Sequence, residues 1–337
     1  MIELGILADD LTGGMMVASL LEREGVECPL VSSVEALPCV AGSTADAVVV
    51  ARKIRLIDPV EAQREARKAV KALQSIGCKR FFYKYCATFD STEKGNIGPI
   101  ADAMLEALGC DHTLFCPAFP EYTVTIFQGR MFLGSTPLGE SFKRVDPVTP
   151  MTNSNLVEVL QSQSRHSVGL LSHATLIRGK AATEEHILQN NSQRFFVADA
   201  ADDYDLERIA DLALDWPLTT GADALPVFLA RAWKQASNQI SIEKPKTLLP
   251  ASPGGEAFIA GSCAAPTLQQ LEYFERSHPR FQVDIVKAAE DPKYLVSILA
   301  WAKYNIVKGP VAVSSSADID ELRRTQNLLG VEGAAQQ

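Results

Sequence analysis

Two adjacent carboxylates, Asp9 and Asp10, stand between a short apolar run and a glycine pair in Leu4-Gly5-Ile6-Leu7-Ala8-Asp9-Asp10-Leu11-Thr12-Gly13-Gly14. Ile2, Leu4, Ile6 and Leu7 make a run of strand length, and Thr12-Gly13-Gly14 opens an apolar, helix-like stretch from Met15 to Arg23. The pattern reads as strand, acidic turn, helix start. Ligands of open α/β sheets bind outside the carboxyl ends of the strands. Asp9 and Asp10 would therefore stand at a binding edge, with Gly13 and Gly14 admitting a ligand to the N–H groups of a helix N-terminus. One Asp suffices to cap that helix, and the second is left over. Such a pair can hold a hydroxylated substrate, take a proton from a hydroxyl, or bind Mg²⁺ together with phosphate.

Elements that would position further groups follow in order. Glu27 to Val31 and the β-branched run Ala45 to Ala51 read as strands, the second buried on both faces. Arg55 follows, then a helix from Pro59 to Ser75 whose charged residues form a solvated face. Arg80 to Tyr85 is a strand carrying Lys84, and its end, Cys86-Ala87-Thr88-Phe89-Asp90-Ser91-Thr92, is rich in hydroxyls. Gly95-Asn96-Ile97-Gly98-Pro99 opens a helix to Leu108, and Thr113 to Ala118 repeats the strand pattern. From Ile126 to Pro150 glycines and prolines break the periodicity, and loops of that length are commonly functional. Strands at 167–171 and 194–199 and a helix at 206–214 continue the alternation, which predicts a parallel sheet.

Ser237 to Gly255 is polar and weakly periodic and reads as a linker. The expected organisation is an α/β chain of two domains, each a mainly parallel sheet flanked by helices: 1–236, a linker over 237–255, and a smaller, truncated domain over 256–337. In the second, Ala257 to Ala260 is a strand, Gly261-Ser262 a turn able to meet a phosphate, and Thr267 lies in the helix that follows. Strands at 281–285 and 310–315 and helices at 292–304 and 318–329 complete it. A domain this thin, with open edges, calls for a second copy of the chain or another chain to cover it.

The 337 residues carry a net charge of −9, with 47% hydrophobic and 22% charged residues. These are globular values. The acidic balance argues against a nucleic-acid partner, and no apolar run has the roughly 18 residues that span a bilayer. Without a leader-like first segment, and with seven cysteines that lack C-x-x-C spacing, the expected compartment is the cytoplasm with reduced thiols. No metal site is expected. The five histidines are scattered, with no i, i+4 pair and no evident orienting acid, and Trp216, Trp233 and Trp301 read as packing residues.

Several stretches together resemble the four-carbon acid sugar kinase family, formerly a domain of unknown function. They are Leu4 to Gly13, Lys84 to Thr92, Gly95 to Pro99, Cys116-Pro117-Ala118-Phe119-Pro120, Phe127-Gln128-Gly129, Thr149-Pro150-Met151-Thr152, and Gly261-Ser262-Cys263 with Thr267. The resemblance implies an N-terminal domain that binds a small sugar acid, a C-terminal domain that binds ATP with Mg²⁺, and phosphoryl transfer across the cleft. Carried onto this chain, Asp9 and Asp10 meet substrate hydroxyls, with Asp10 as base. Arg55 and Lys84 pair with the substrate carboxylate or the transferring phosphoryl group. Thr88, Asp90, Ser91, Asn96, Thr125 and Gln128 line the same cleft, and Gly261, Ser262 and Thr267 contact nucleotide phosphates.

Departures from the family pattern qualify this. Met16 stands where the family carries a carboxylate, Val124 where it carries an Arg, and Asp146-Pro147 where it carries His-Pro. Loss of an Arg clamp on a carboxylate costs about 2–5 kcal/mol, so the usual small acid is expected to bind poorly. The family also continues beyond the point matching Gln337, with a Gly-Gly-Glu-Thr-Ser-Gly phosphate loop that these residues lack. Three readings follow: an ATP-dependent kinase of a sugar acid or related hydroxylated molecule, a non-catalytic relative that keeps a ligand-binding cleft, and an enzyme of altered chemistry on that cleft. In each the partner of the site is a small molecule.

Overall fold

The computed structural model describes residues 2–146, 148–236 and 254–336, so the linker expected over 237–255 falls, except for its last two residues, outside the described residues. The chain forms two compact units, Met1–Lys246 and Thr247–Gln337.

In the first unit the order is β1 (Leu4–Ala8), α1 (Leu11–Arg23), β2 (Leu30–Val31), β3 (Ala47–Ala51), α2 (Pro59–Ser75), β4 (Arg80–Lys84), α3 (Ile97–Leu108) and β5 (Thr113–Cys116). Next come β6 (Val124–Phe127), β7 (Arg130–Leu133), β8 (Thr136–Pro137), α4 (Leu156–Gln163), β9 (Ser167–Leu171), α5 (His173–Leu176), α6 (Lys180–Gln189), β10 (Gln193–Ala198), α7 (Asp203–Leu212), β11 (Leu218–Gly221) and α8 (Leu225–Ala236). Eight strands form one sheet in the order β2-β3-β1-β4-β11-β5-β10-β9, every neighbouring pair parallel.

The reason is legible in the residues. Every position of β1 and β3 is buried, as strands covered on both faces by helices must be. Over β1, α2 lays down Ala62, Ala66, Ala69, Val70 and Leu73 at helical spacing. Asp58 caps α2 and Pro59 occupies its first turn, where a missing N–H costs nothing.

The structure differs from expectation at two places that matter for the site. Leu218-Thr219-Thr220-Gly221 is a strand inserted in the middle of the sheet, between β4 and β5. Its four residues include two threonines, so no apolar run announces it; Thr220 is buried by giving its hydroxyl to the Leu114 carbonyl at 2.8 Å. The irregular stretch after Ile126 contains a small antiparallel sheet, β6-β7-β8, followed by a 3-10 turn over Phe142–Val145. Ile126 bridges to Ala200, which ties this sheet to the end of β10.

The second unit comprises β12 (Ala257–Ala260), α9 (Ala265–Glu275), β13 (Arg280–Gln282), α10 (Ile285–Glu290), α11 (Pro292–Ile306), β14 (Val311–Ser314) and α12 (Ile319–Gln336). Its sheet is parallel, in the order β12-β14-β13. The strand expected over 281–285 ends at Gln282 because Asp284 caps α10. All seven cysteines are free. Among the described residues no helix is long and apolar enough to cross a membrane.

Gly221 sits where a side chain is excluded: a Cβ there would lie 2.6 Å from the Cys116 carbonyl oxygen, a backbone atom that cannot step aside. Gly221→Ala is expected to lower stability by about 1–3 kcal/mol, as overpacking of a closed interior does. Urea denaturation measures it, and an unchanged midpoint would mean that β5 and β11 can separate without cost.

Candidate functional site

Parallel pairing aligns the strand ends. Ala8 is in register with Ala51 on one side and Lys84 on the other, and Lys84 is in register with Gly221. The ladder runs one step past the strands: Asp9 N–H donates to the Lys84 carbonyl at 3.0 Å and Tyr85 N–H to the Gly221 carbonyl at 3.1 Å. The residues just beyond β1, β4 and β11 therefore form one row at the carboxyl edge.

Asp9 is buried in that row, and Arg55, from the turn after β3, grips it with two bonds: Nε to Oδ2 at 3.0 Å and Nη2 to Oδ1 at 2.8 Å. Arg55 Nη2 also pairs with Asp10 Oδ2, while Asp10 Oδ1 accepts the Gly13 N–H and caps α1. Burial pushes the Asp9 carboxyl above its ordinary value despite Arg55 and Lys84. Arg55 stays firmly charged, because Asp9 outweighs the opposing cost of burial.

Lys84, 2% exposed, donates to the Tyr85 carbonyl at 2.8 Å and pairs with Asp223 Oδ1 at 3.2 Å. Its ammonium lies under the start of α1, where a Cβ on Gly13 would come within 2.7 Å of Nζ. Gly13 is thus the residue that lets a lysine reach a helix N-terminus.

A second cluster continues from β4. Thr88 Oγ1 donates to Asp90 Oδ1 at 2.7 Å and Cys86 Sγ to Asp90 Oδ2 at 3.2 Å. Lys143, from the 3-10 turn, reaches Asp90 Oδ1 at 2.8 Å and Asp146 Oδ2 at 2.6 Å. Burial raises the Cys86 thiol, and Asp90 adds to it. Lys143 is raised because Asp90 and Asp146 outweigh its own burial.

The structure therefore brings together Asp9, Asp10, Arg55 and Lys84, and gathers Thr88 with Asp90. Other expected residues are placed differently. Asn96 is buried with its Nδ2 donating to the Ile54 and Ile57 carbonyls at 2.9 and 2.8 Å, so it holds the turn that carries Arg55. Ser91 is buried and its Oγ has no partner. Thr125 lies on β6, paired with Phe132. Gln128 turns at the far end of β6, its N–H donating to Asp199 at 2.9 Å beside β10. Since β10 is four strand positions from β1, some 19 Å at ordinary strand spacing, Gln128 does not share the row with Asp9.

Three functional candidates escaped sequence reasoning. Asp223 repeats the strand-acid-helix signal of Asp9 and Asp10, but follows the unrecognised β11. Lys143 was hidden in the irregular stretch. His173, expected to lack an orienting acid, has one: its Nδ1 faces buried Asp205 at 3.1 Å. Among the described residues no group of three or more His, Cys, Asp or Glu side chains is arranged to hold a metal ion.

The family described as "Sugar-binding N-terminal domain" matches residues 4–228. A 3-oxo-tetronate kinase of Burkholderia multivorans is 37% identical over 335 residues, which are 99% of this chain and 77% of that protein. The chain belongs to the four-carbon acid sugar kinase family. A Pseudomonas fluorescens member, also named 3-oxo-tetronate kinase, is 37% identical over 98% of this chain and 77% of its own length. The crystal structure of a Haemophilus influenzae protein is 32% identical, with a TM-score of 0.70 over 98% of this chain and 79% of that one. Asp146 is not a bare anion, because it pairs with Lys143, a cation it shares with Asp90. Val124 is buried in β6, and Met16 is exposed on α1.

The folded state holds the Asp9 proton to higher pH than the unfolded chain, so the contribution of Asp9 to stability falls as pH rises above about 4. Arg55→Met leaves that carboxylate without its cation and is expected to cost about 3–5 kcal/mol near neutral pH. The loss should shrink on acidification from neutral pH toward the ordinary carboxylate range, as Asp9 takes up its proton. Urea denaturation across this range checks both; a loss independent of pH would mean that Asp9 is not the group left stranded.

Proposed function

We propose that this chain is a phosphotransferase that passes the terminal phosphoryl group of ATP to a hydroxyl of a four-carbon sugar acid of the 3-oxo-tetronate type. The names of its relatives support the reaction, and one observation in the fold carries it: the buried ammonium of Lys84 beneath the N-terminus of α1. A helix N-terminus carries partial positive charge, so a lysine there needs anions around it. Asp10 and Asp223 supply them in this structure, and a transferring phosphoryl group is an anion the same cation and N–H groups can meet. In the proposed role Lys84 and the α1 N–H groups receive the phosphoryl group, and Arg55 meets the substrate carboxylate. Asp9 and Asp10 orient Arg55 and face substrate hydroxyls, with Thr88, Asp90 and Ser91 extending the wall.

For ATP, the fit lies in the second unit. Gly261 and Ser262 follow β12, a Cβ on Gly261 would stand 3.5 Å from the Ser315 hydroxyl, and α9 with Thr267 begins just beyond. Backbone N–H groups and hydroxyls suit phosphate oxygens, and Mg²⁺ bound with the nucleotide would offset their charge. Covering of this unit by a second copy or another chain is part of the proposal. Phe258 and Ile259 on β12 are the apolar surface such a partner would bury, and sedimentation velocity reads the mass.

A second reading, a less anionic substrate, is favoured by the exposed apolar side chains Leu11, Met15 and Met16 on the first turns of α1 beside Asp10. Assaying ADP release from Mg·ATP with 3-oxo-tetronate and with uncharged four-carbon polyols separates the two. Lys84→Met is expected to lower kcat/KM by about 10²–10³-fold on the preferred substrate. Calorimetry should show saturable Mg·ATP binding that Ser262→Trp abolishes; no binding at millimolar ATP would rule out phosphoryl transfer by this chain.

A further inference from the structure

The three carboxylates of the strand-end row are not equally available for chemistry. Both oxygens of Asp9 accept from Arg55. Asp10 engages Oδ1 with the Gly13 N–H and Oδ2 with Arg55, so a proton arriving at either oxygen would weaken the hold on a cation or a helix cap. Asp223, two residues beyond β11, meets a single cation, Lys84, through Oδ1 at 3.2 Å. It is 7% exposed and stands at the carboxyl edge of the strand next to β4, so Lys84 lies between Asp223 on one side and Asp10 on the other.

Resting on the kinase reading above, we infer that Asp223 is the catalytic residue that takes the proton from the attacking substrate hydroxyl, and that Asp10 is a positioning residue for Arg55 and α1. The step balances as a simple displacement. The hydroxyl O–H bond breaks and its proton passes to the Asp223 carboxylate. The freed oxygen forms a bond to the terminal phosphorus of the nucleoside triphosphate, and the bond from that phosphorus to the bridging oxygen breaks. The nucleoside diphosphate leaves with the electron pair. Lys84 touches the base and lies under α1, so one cation serves both the proton acceptor and the phosphoryl site. Chemical preference runs the same way: burial pushes the Asp223 carboxyl above its ordinary value against the pull of Lys84, and nearby Asp10 pushes it further. Asp9 is raised by burial as well, so what sets Asp223 apart as proton acceptor is its carboxylate geometry, with a single cation on Oδ1 where both oxygens of Asp9 are held by Arg55.

The test uses the full chain with Mg·ATP and 3-oxo-tetronate. Asp223→Asn should lower kcat by about 10²–10⁴-fold. KM should stay within about threefold, since the amide preserves shape and the lost interaction belongs to the transition state. The acid limb of the kcat–pH profile should vanish from the residual activity. Asp10→Asn should raise KM and lower the melting temperature while keeping that limb. If Asp223→Asn does not fold, Asp223→Glu replaces it and should shift the acid limb, whereas Asp10→Glu should leave it in place. An Asp223→Asn enzyme within about tenfold of wild type in kcat, or an acid limb unmoved by either substitution at 223, overturns the assignment alone. Wild type that transfers no phosphoryl group overturns the kinase reading and this assignment together.

Discussion

Asp9 and Arg55 meet through two hydrogen bonds at the carboxyl edge of the large sheet, and much of the surrounding structure keeps that pair intact. A carboxylate as buried as Asp9 is tolerated only with its cation in place. The cation comes from another strand, so the turn after β3 must be held in one conformation. Asn96 does this from α3 through the carbonyls of Ile54 and Ile57, on either side of Arg55. The Ile54 N–H in turn donates to the Asp9 carbonyl at 3.0 Å. Backbone and side chain thus lock the same two segments together.

The same pairing logic repeats along the edge. Lys84 is matched with Asp223, and Lys143 with Asp90 and Asp146. A chain of net charge −9 can in this way offer cations to an anionic ligand: each is paired with acids at a strand end, and its field acts locally. Departures from the family pattern also read differently in this setting. Asp146, where the resemblance implies a histidine, pairs with Lys143 three residues earlier, and Lys143 is shared with Asp90.

Much of the fold could be read from the sequence because buried parallel strands advertise themselves. Leu4 to Ala8, Ala47 to Ala51 and Arg80 to Lys84 are apolar enough on both faces to be unmistakable, and Asp9, Asp10 and Lys84 mark their ends. β11 was not legible, since Leu-Thr-Thr-Gly satisfies its polar side chains only against neighbours such as Leu114 that are distant in sequence. With that strand went Asp223, although its strand-acid-helix pattern matches the one recognised at Asp9 and Asp10. For Asn96 and Gln128 the structure shows contacts that no local pattern announces. Asn96 holds the Arg55 turn from behind, and the Gln128 backbone is held by Asp199 at a different strand end.

By itself the sequence determined the α/β class, the strand ends that carry charge and the family, because these depend on local periodicity and on motifs that are contiguous. Only the tertiary structure decided which of those ends stand side by side. Sheet order is set by long-range pairing, and β11, late in the chain, enters between β4 and β5. That insertion puts Asp223 against Lys84 and leaves Gln128 four strands from β1. Local sequence carries no record of such neighbours, because the hydrogen bonds that join parallel strands link residues far apart along the chain.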